Sequence, residues 1–182
     1  MNAFYRKLSE GWILNTSEKV NTSGESISST GFSPEHWLQA TVPSTILATL
    51  WDNGIYHDLY TGTNMQKVDS AQFLVPWWYR TVFHLSREES NKTVLLLFDG
   101  INYKANIWLN GIQIADANTV SGAFRRFRFN ISSYITQGDN VLALEIIPPG
   151  PGDFSTGFVD WNIDPPDRNM GIFRKVMLHF HD

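Results

Sequence analysis

An Asn-Gly pair stands between two apolar runs in Ile107-Trp108-Leu109-Asn110-Gly111-Ile112-Gln113-Ile114, and it constrains this chain more than any other feature. A type I′ turn needs positive φ at both central residues, which Asn and Gly tolerate, and its twist matches that of two antiparallel strands. The stretch predicts a tight hairpin, and with it a sheet in which Trp108 is buried between layers. Period-two patterning recurs in Trp77 to Leu85, Thr93 to Phe98, Lys104 to Leu109, Ile112 to Ile114, Ala123 to Phe129, Val141 to Ile147 and Arg174 to Phe180. Turn residues at Ser86 to Asn91, Asp99-Gly100, Gly122 and Gly138-Asp139-Asn140 separate these runs. Such regular punctuation predicts an all-β fold, a jelly-roll β-sandwich.

Helical periodicity is convincing only at Ser44 to Gly54, where Ile46, Leu47, Leu50 and Trp51 share a face, Ser44 can cap the start and Gly54 can end it. One or two short helices complete the expected fold. A length of 182 residues suits a single sandwich spanning 1–182, and 42% hydrophobic with 18% charged residues is ordinary for a folded domain. Rings make up 14% of the chain, a surplus that suits a thick core and also sugar-stacking surfaces.

The formal net charge is -4, and the one dense basic run, Arg125, Arg126 and Arg128, alternates with Phe127 and Phe129. On a strand Arg126 and Arg128 form a solvated face and Phe127 and Phe129 the opposite one, which argues against nucleic-acid binding. Without cysteine there is no disulfide, thiolate nucleophile or Cys-ligated zinc. No stretch approaches the ~20 apolar residues of a membrane span, so no membrane partner is expected. Met1 to Leu14 lacks the apolar run of a signal peptide. The compartment stays open, periplasmic or secreted where such a signal has been removed. Asn15, Asn21, Asn91 and Asn130 match the glycosylation sequon, which matters only in a eukaryotic secretory pathway.

Pro148-Pro149-Gly150-Pro151-Gly152 cannot continue a central strand, because proline lacks the amide donor. A loop therefore runs from Pro148 to Asn169, crowded with Phe154, Phe158, Trp161, Ile163 and several Asp and Pro residues. Loops this long in compact domains are usually functional or disordered, and this composition argues for order.

Chemistry is harder to find. A glycosidase needs two carboxyl groups facing each other across the scissile bond. Glu88 and Glu89 fall in an apparent turn, Glu145 on a strand, and Glu10, Glu18, Glu25 and Glu35 in an irregular N-terminal region. Asp160, Asp164 and Asp167 cluster in the long loop, as a catalytic pair in principle or as turn and cap residues, with structural or ligand-contact roles preferred. His36, His57, His84, His179 and His181 show no metal-ligand spacing, and neither a nucleophile elbow nor a phosphate-binding glycine loop is present. No catalytic residue, metal or cofactor is assigned. Asp160-Trp161 differs in kind, because an apolar plane beside a carboxylate suits a sugar ring and its vicinal hydroxyls, with Asn162 following. A tryptophan that merely anchors the loop fits the same dipeptide.

Three stretches resemble the N-terminal sugar-binding domain of glycoside hydrolase family 2. They are Phe73-Leu-Val-Pro-Trp-Trp-Tyr-Arg80, Phe98-Asp-Gly-Ile-Asn-Tyr-Lys-Ala-Asn-Ile-Trp-Leu-Asn-Gly111 and Asp160-Trp-Asn-Ile-Asp-Pro-Pro-Asp-Arg-Asn-Met-Gly-Ile-Phe-Arg174. The resemblance covers most of the chain and is strongest to the β-mannosidase and exo-β-glucosaminidase branch. It implies a galactose-binding-like jelly roll preceding an immunoglobulin-like domain and a (β/α)₈ TIM barrel, with both catalytic glutamates on the barrel. It also implies a carbohydrate substrate, contacted by Asp160 and Trp161 at the terminal subsite, with Asn162, Asp164, Asp167 and Asn169 in the same run. Phe173, where the family more often shows Trp, and Val159, where many β-mannosidases carry a further Trp, depart from the pattern. The expectation is thus a non-catalytic domain of an exo-β-glycosidase, with a free-standing carbohydrate-binding module or lectin as the alternative.

Overall fold

The computed structural model describes residues 3–156, 161 and 164–182. Among these residues ten strands make two antiparallel sheets. Phe4–Lys7 (β1), Thr93–Phe98 (β5), Phe127–Asn130 (β8) and Val176–His181 (β10) form a four-stranded sheet in the order β1-β10-β5-β8. Trp12–Thr16 (β2), Leu38–Ala40 (β3), Trp77–Leu85 (β4), Lys104–Leu109 (β6), Ile112–Ala115 (β7) and Gly138–Ile147 (β9) form the second, ordered β3-β2-β4-β9-β6-β7. The strands expected at Trp77, Thr93 and Lys104 run as read, whereas the one expected from Ala123 begins only at Phe127.

The core lies between the sheets. Trp77, Tyr79, Phe83 and Leu85 of β4 meet Leu96 and Phe98 of β5 and Leu178 and Phe180 of β10, all less than a tenth exposed. Alternation explains the selection, since side chains two apart share a face. Phe127 and Phe129 of β8 pack on this core while Arg126 and Arg128 stay exposed.

The same alternation corrects the expectation for Trp108. Ala105, Ile107 and Leu109 are fully buried, which turns Trp108 to the outer face of the six-stranded sheet. There it lies 5.2 Å from the ring of Trp78, within a small second cluster containing Ile27 and Ala143. A short helix, Gly24–Ile27 (α1), covers it. The adjacent Trp77 and Trp78 thus fill two different cores. The hairpin turn is as expected, with φ of 52° at Asn110 and 84° at Gly111.

Ile46–Asp52 (α2) is the predicted helix, with differences at both ends. Its N-cap is Thr45, whose hydroxyl accepts from the Ala48 amide, and its C-cap is Asn53. Ile46, Leu47 and Leu50 are buried, whereas Trp51 is 42% exposed. The Ser86 to Asn91 turn contains a short helix, Arg87–Ser90 (α3), held by a reciprocal capping box between Ser86 and Glu89. Among the described residues no helix is long and apolar enough to cross a membrane.

Candidate functional site

The long loop leaves β9 at Ile147 and is fastened at both ends. Near its start the Asp153 carboxylate accepts from the Gly150 amide at 2.9 Å and pairs with Lys104 Nζ of β6 at 3.1 Å. Those hydrogen bonds, the Gly150 amide first, hold the Asp153 carboxyl below the usual carboxylate range.

Its other end is tied to α2 and to the turn before β6. Asp167 is 2% exposed; its Oδ2 accepts from the Leu47 amide and its Oδ1 from the Asn169 amide, both at 2.9 Å. The Ile46 amide donates to the Met170 carbonyl and the Ser44 amide to that of Ile172. The first turn of a helix exposes amides with no intrahelical partner, and here the loop supplies acceptors for two of them. Burial pushes the Asp167 carboxyl up, against the hydrogen bonds from Leu47, Thr45 and Asn169 that favour its charge. From the other side the Asn102 carboxamide donates to the carbonyls of Arg168 and Asn169. These two residues take φ of 48° and 57°, a left-handed bend that such external hydrogen bonds help to fix.

Between the two anchorages several of the described residues are exposed. Phe154 is 84% and Trp161 88% exposed, and Asp164 is exposed as well. An unburied indole is available for contact, and the loop-anchor role considered for Trp161 finds no packing in the described structure. Asp160 and Asn162 lie outside the described residues, as do Phe158, Val159 and Ile163. Of the six candidates, the structure therefore describes four, with Asp167 and Asn169 near each other and Trp161 and Asp164 each exposed.

Beside this loop lies a cavity of about 280 Å³. Pro165, Asp167 and Asn169 form one wall; Thr45, Trp51 and Tyr60 contribute to the others. Trp51 and Tyr60 meet edge to face, ring centroids 5.7 Å apart. Sequence reasoning placed Trp51 on the buried helix face and passed over Tyr60 entirely. Its only available signal was the two-residue width of the apolar stripe at Leu50-Trp51, which leaves the second residue at the edge of the face.

The remaining carboxylates are paired or dispersed. Glu145 accepts from Asn106 across the sheet at 2.8 Å, and Glu89 binds Arg6. Among the described residues no group of three His, Asp or Glu side chains is placed to hold a metal ion.

Comparison with known proteins completes the picture. The family described as "Glycosyl hydrolase 2 galactose-binding domain-like" matches residues 12–150, from the start of β2 to just past β9. An exo-beta-D-glucosaminidase of Amycolatopsis orientalis is 38% identical over 169 residues, covering 92% of this chain and 16% of that protein. A mannosylglycoprotein endo-beta-mannosidase of Lilium longiflorum is 30% identical over 94% of the chain and 21% of its own length. The crystal structure of the Amycolatopsis orientalis exo-chitosanase CsxA superposes with a TM-score of 0.89 at 36% identity, over 99% of this chain and 21% of the other. The chain thus spans about a fifth of the length of these relatives. A match that runs through eight of the ten strands, β2 to β9, and a shared backbone at this identity leave one conclusion: the chain belongs to the glycosyl hydrolase 2 galactose-binding domain-like family.

Proposed function

We propose that this chain serves as the non-catalytic sugar-binding domain of a family 2 exo-β-glycosidase of the exo-β-glucosaminidase type, and that its 148–169 loop borders the substrate subsite. The observation that carries the reading is the likeness to the exo-chitosanase, at 36% identity across 99% of this chain but only 21% of that one. The glucosaminidase relative, at 38%, stands nearer than the mannosidase at 30%.

The geometry suits a contributory role. Hydrolysis of a glycosidic bond needs an acid and a second carboxylate on opposite sides of one sugar. Asp153, Asp167, Glu89 and Glu145 are each committed to partners within the chain. The acid and nucleophile are assigned to a TIM barrel elsewhere in the same protein, with an immunoglobulin-like domain between. Asp160 accepts hydrogen bonds from sugar hydroxyls, Trp161 borders the ring, and Asn162, Asp164 and Asn169 flank them. Asp167 acts through the loop it holds.

The test is hydrolysis of p-nitrophenyl β-D-glucosaminide by the full-length protein and by the 182-residue chain alone. Turnover is expected from the first only. Turnover by the chain alone, abolished by Asp160→Ala or Asp164→Ala, overturns the reading.

A further inference from the structure

The cavity between α2 and the loop has a chemistry of its own. One side is a corner of two rings set edge to face at 72°, Trp51 and Tyr60, 42% and 80% exposed. The rest of the lining combines the polar Thr45, Asp167 and Asn169 with apolar Leu47, Met65 and Pro165. Neither the Tyr60 hydroxyl nor the Asn169 carboxamide nitrogen has a hydrogen-bond partner among the described residues. Exposed aromatic carbon facing unengaged amide and hydroxyl groups matches a pyranose, whose axial C–H face is apolar and whose rim is hydroxylic. At about 280 Å³ the space lies just below the range of roughly 300–1,000 Å³ usual for drug-sized ligands, and suits a single sugar ring.

Its walls are also stiff. Asp167 and Thr45 satisfy successive amides of α2, Asn102 grips the loop backbone behind Asn169, and Leu59 beneath Tyr60 is buried. A pocket already held in shape loses little freedom on binding.

We propose that Trp51 and Tyr60 form an aromatic platform for a second sugar ring of an oligosaccharide, so that this cavity is a subsite adjoining the one bordered by Trp161. The assignment of the ligand as a β-linked glucosamine oligomer rests on the function proposed above. Trp51 stacks or edges the ring, Tyr60 closes the corner, and Asn169 hydrogen-bonds a hydroxyl. The residues of this platform come from α2 and the segment following it, so it responds to ligand length and leaves recognition of the terminal sugar to the loop.

The experiment is a titration of the ¹⁵N-labelled 182-residue chain with β-1,4-linked glucosamine monomer, dimer and tetramer, following the indole N–H signals of Trp51 and Trp161 separately. Expected are saturable shifts at Trp51 with the dimer and tetramer, and affinity that rises from monomer to dimer. Tyr60→Ala, at a solvent-exposed position that should leave the fold intact, and Trp51→Ala should each weaken dimer binding by about two- to tenfold and leave the monomer unaffected. Shifts at Trp161 without shifts at Trp51 overturn the subsite while the proposed function stands. Equal affinity for monomer and dimer, or unchanged dimer binding by Tyr60→Ala, overturns it too, and so does the absence of any saturable shift. The proposed function fails by a different result, turnover by the isolated chain.

Discussion

Gly24 lies against the indole of Trp108 so closely that a β-carbon on it would sit 2.3 Å from the ring's Cδ2. No side chain fits there without moving either α1 or the tryptophan. Gly24→Ala is therefore expected to destabilise the fold by about 1–3 kcal/mol through overpacking, read as a lower midpoint in urea. Trp108→Leu makes room, so the double variant should recover part of that loss. Strict additivity of the two changes would show that the contact carries no strain.

Asp167 offers a test of the loop's attachment. Asp167→Ala leaves the buried Leu47 amide and the Asn169 amide without their acceptor, at an expected cost of about 2–4 kcal/mol. Asp167→Asn keeps one acceptor oxygen and should cost less. A thermal midpoint for Asp167→Ala within a degree of the parent would remove the residue from the role given to it.

Acidity separates the loop's two anchors. Burial raises the Asp167 carboxyl, so relative to Asp167→Asn the parent is most stable below the ordinary carboxylate pKa, and that advantage shrinks as pH rises through the elevated value. The Asp153 carboxyl is lowered by Gly150 and Lys104, and its contribution is present above the ordinary value and lost as pH falls through the depressed one. Stability curves of Asp167→Asn and Asp153→Asn against pH should therefore diverge from the parent in opposite directions on acidification. Parallel curves would contradict both assignments.

In the full-length protein, Asp160→Ala should lower kcat/KM by about one to two orders of magnitude, the worth of a charged hydrogen bond to a sugar hydroxyl, with little change in thermal midpoint. Trp161, 88% exposed, likewise has little packing to lose, so Trp161→Ala should leave stability unaltered while weakening substrate. The reverse pattern, a lower midpoint with normal turnover, would mark both as structural.

The parts of the fold legible in the sequence are those whose signal is local. The hairpin at Asn110-Gly111 and the strands β4 to β6 are written in turn chemistry and alternation. β1, β2 and β3 escaped because Phe4–Lys7 and Leu38–Ala40 are too short for a period and owe their form to pairing with β10 and β2. The Trp108 expectation failed because ring size was weighed above the parity set by Ile107 and Leu109. At the site, the loop announced itself by length and proline content, but its attachments did not. Asp167 meets Leu47 across 120 residues, and nothing in either neighbourhood encodes the other. Tyr60 was invisible for the same reason, since its partner Trp51 becomes a wall only once the loop folds over α2.

The order of strands also bears on how the chain must be made. β10 holds the last residues of the sequence yet lies between β1, the first strand, and β5. During synthesis, while residues 176–181 remain within the ribosome, the four-stranded sheet has a gap at its middle and β1 has no neighbour. The edge of β5 opposite β8 would meanwhile be open to other nascent chains. Closure of the sandwich therefore awaits its final strand, which makes release of residues 176–181, and whatever polypeptide follows them, the step that commits the domain to its native form.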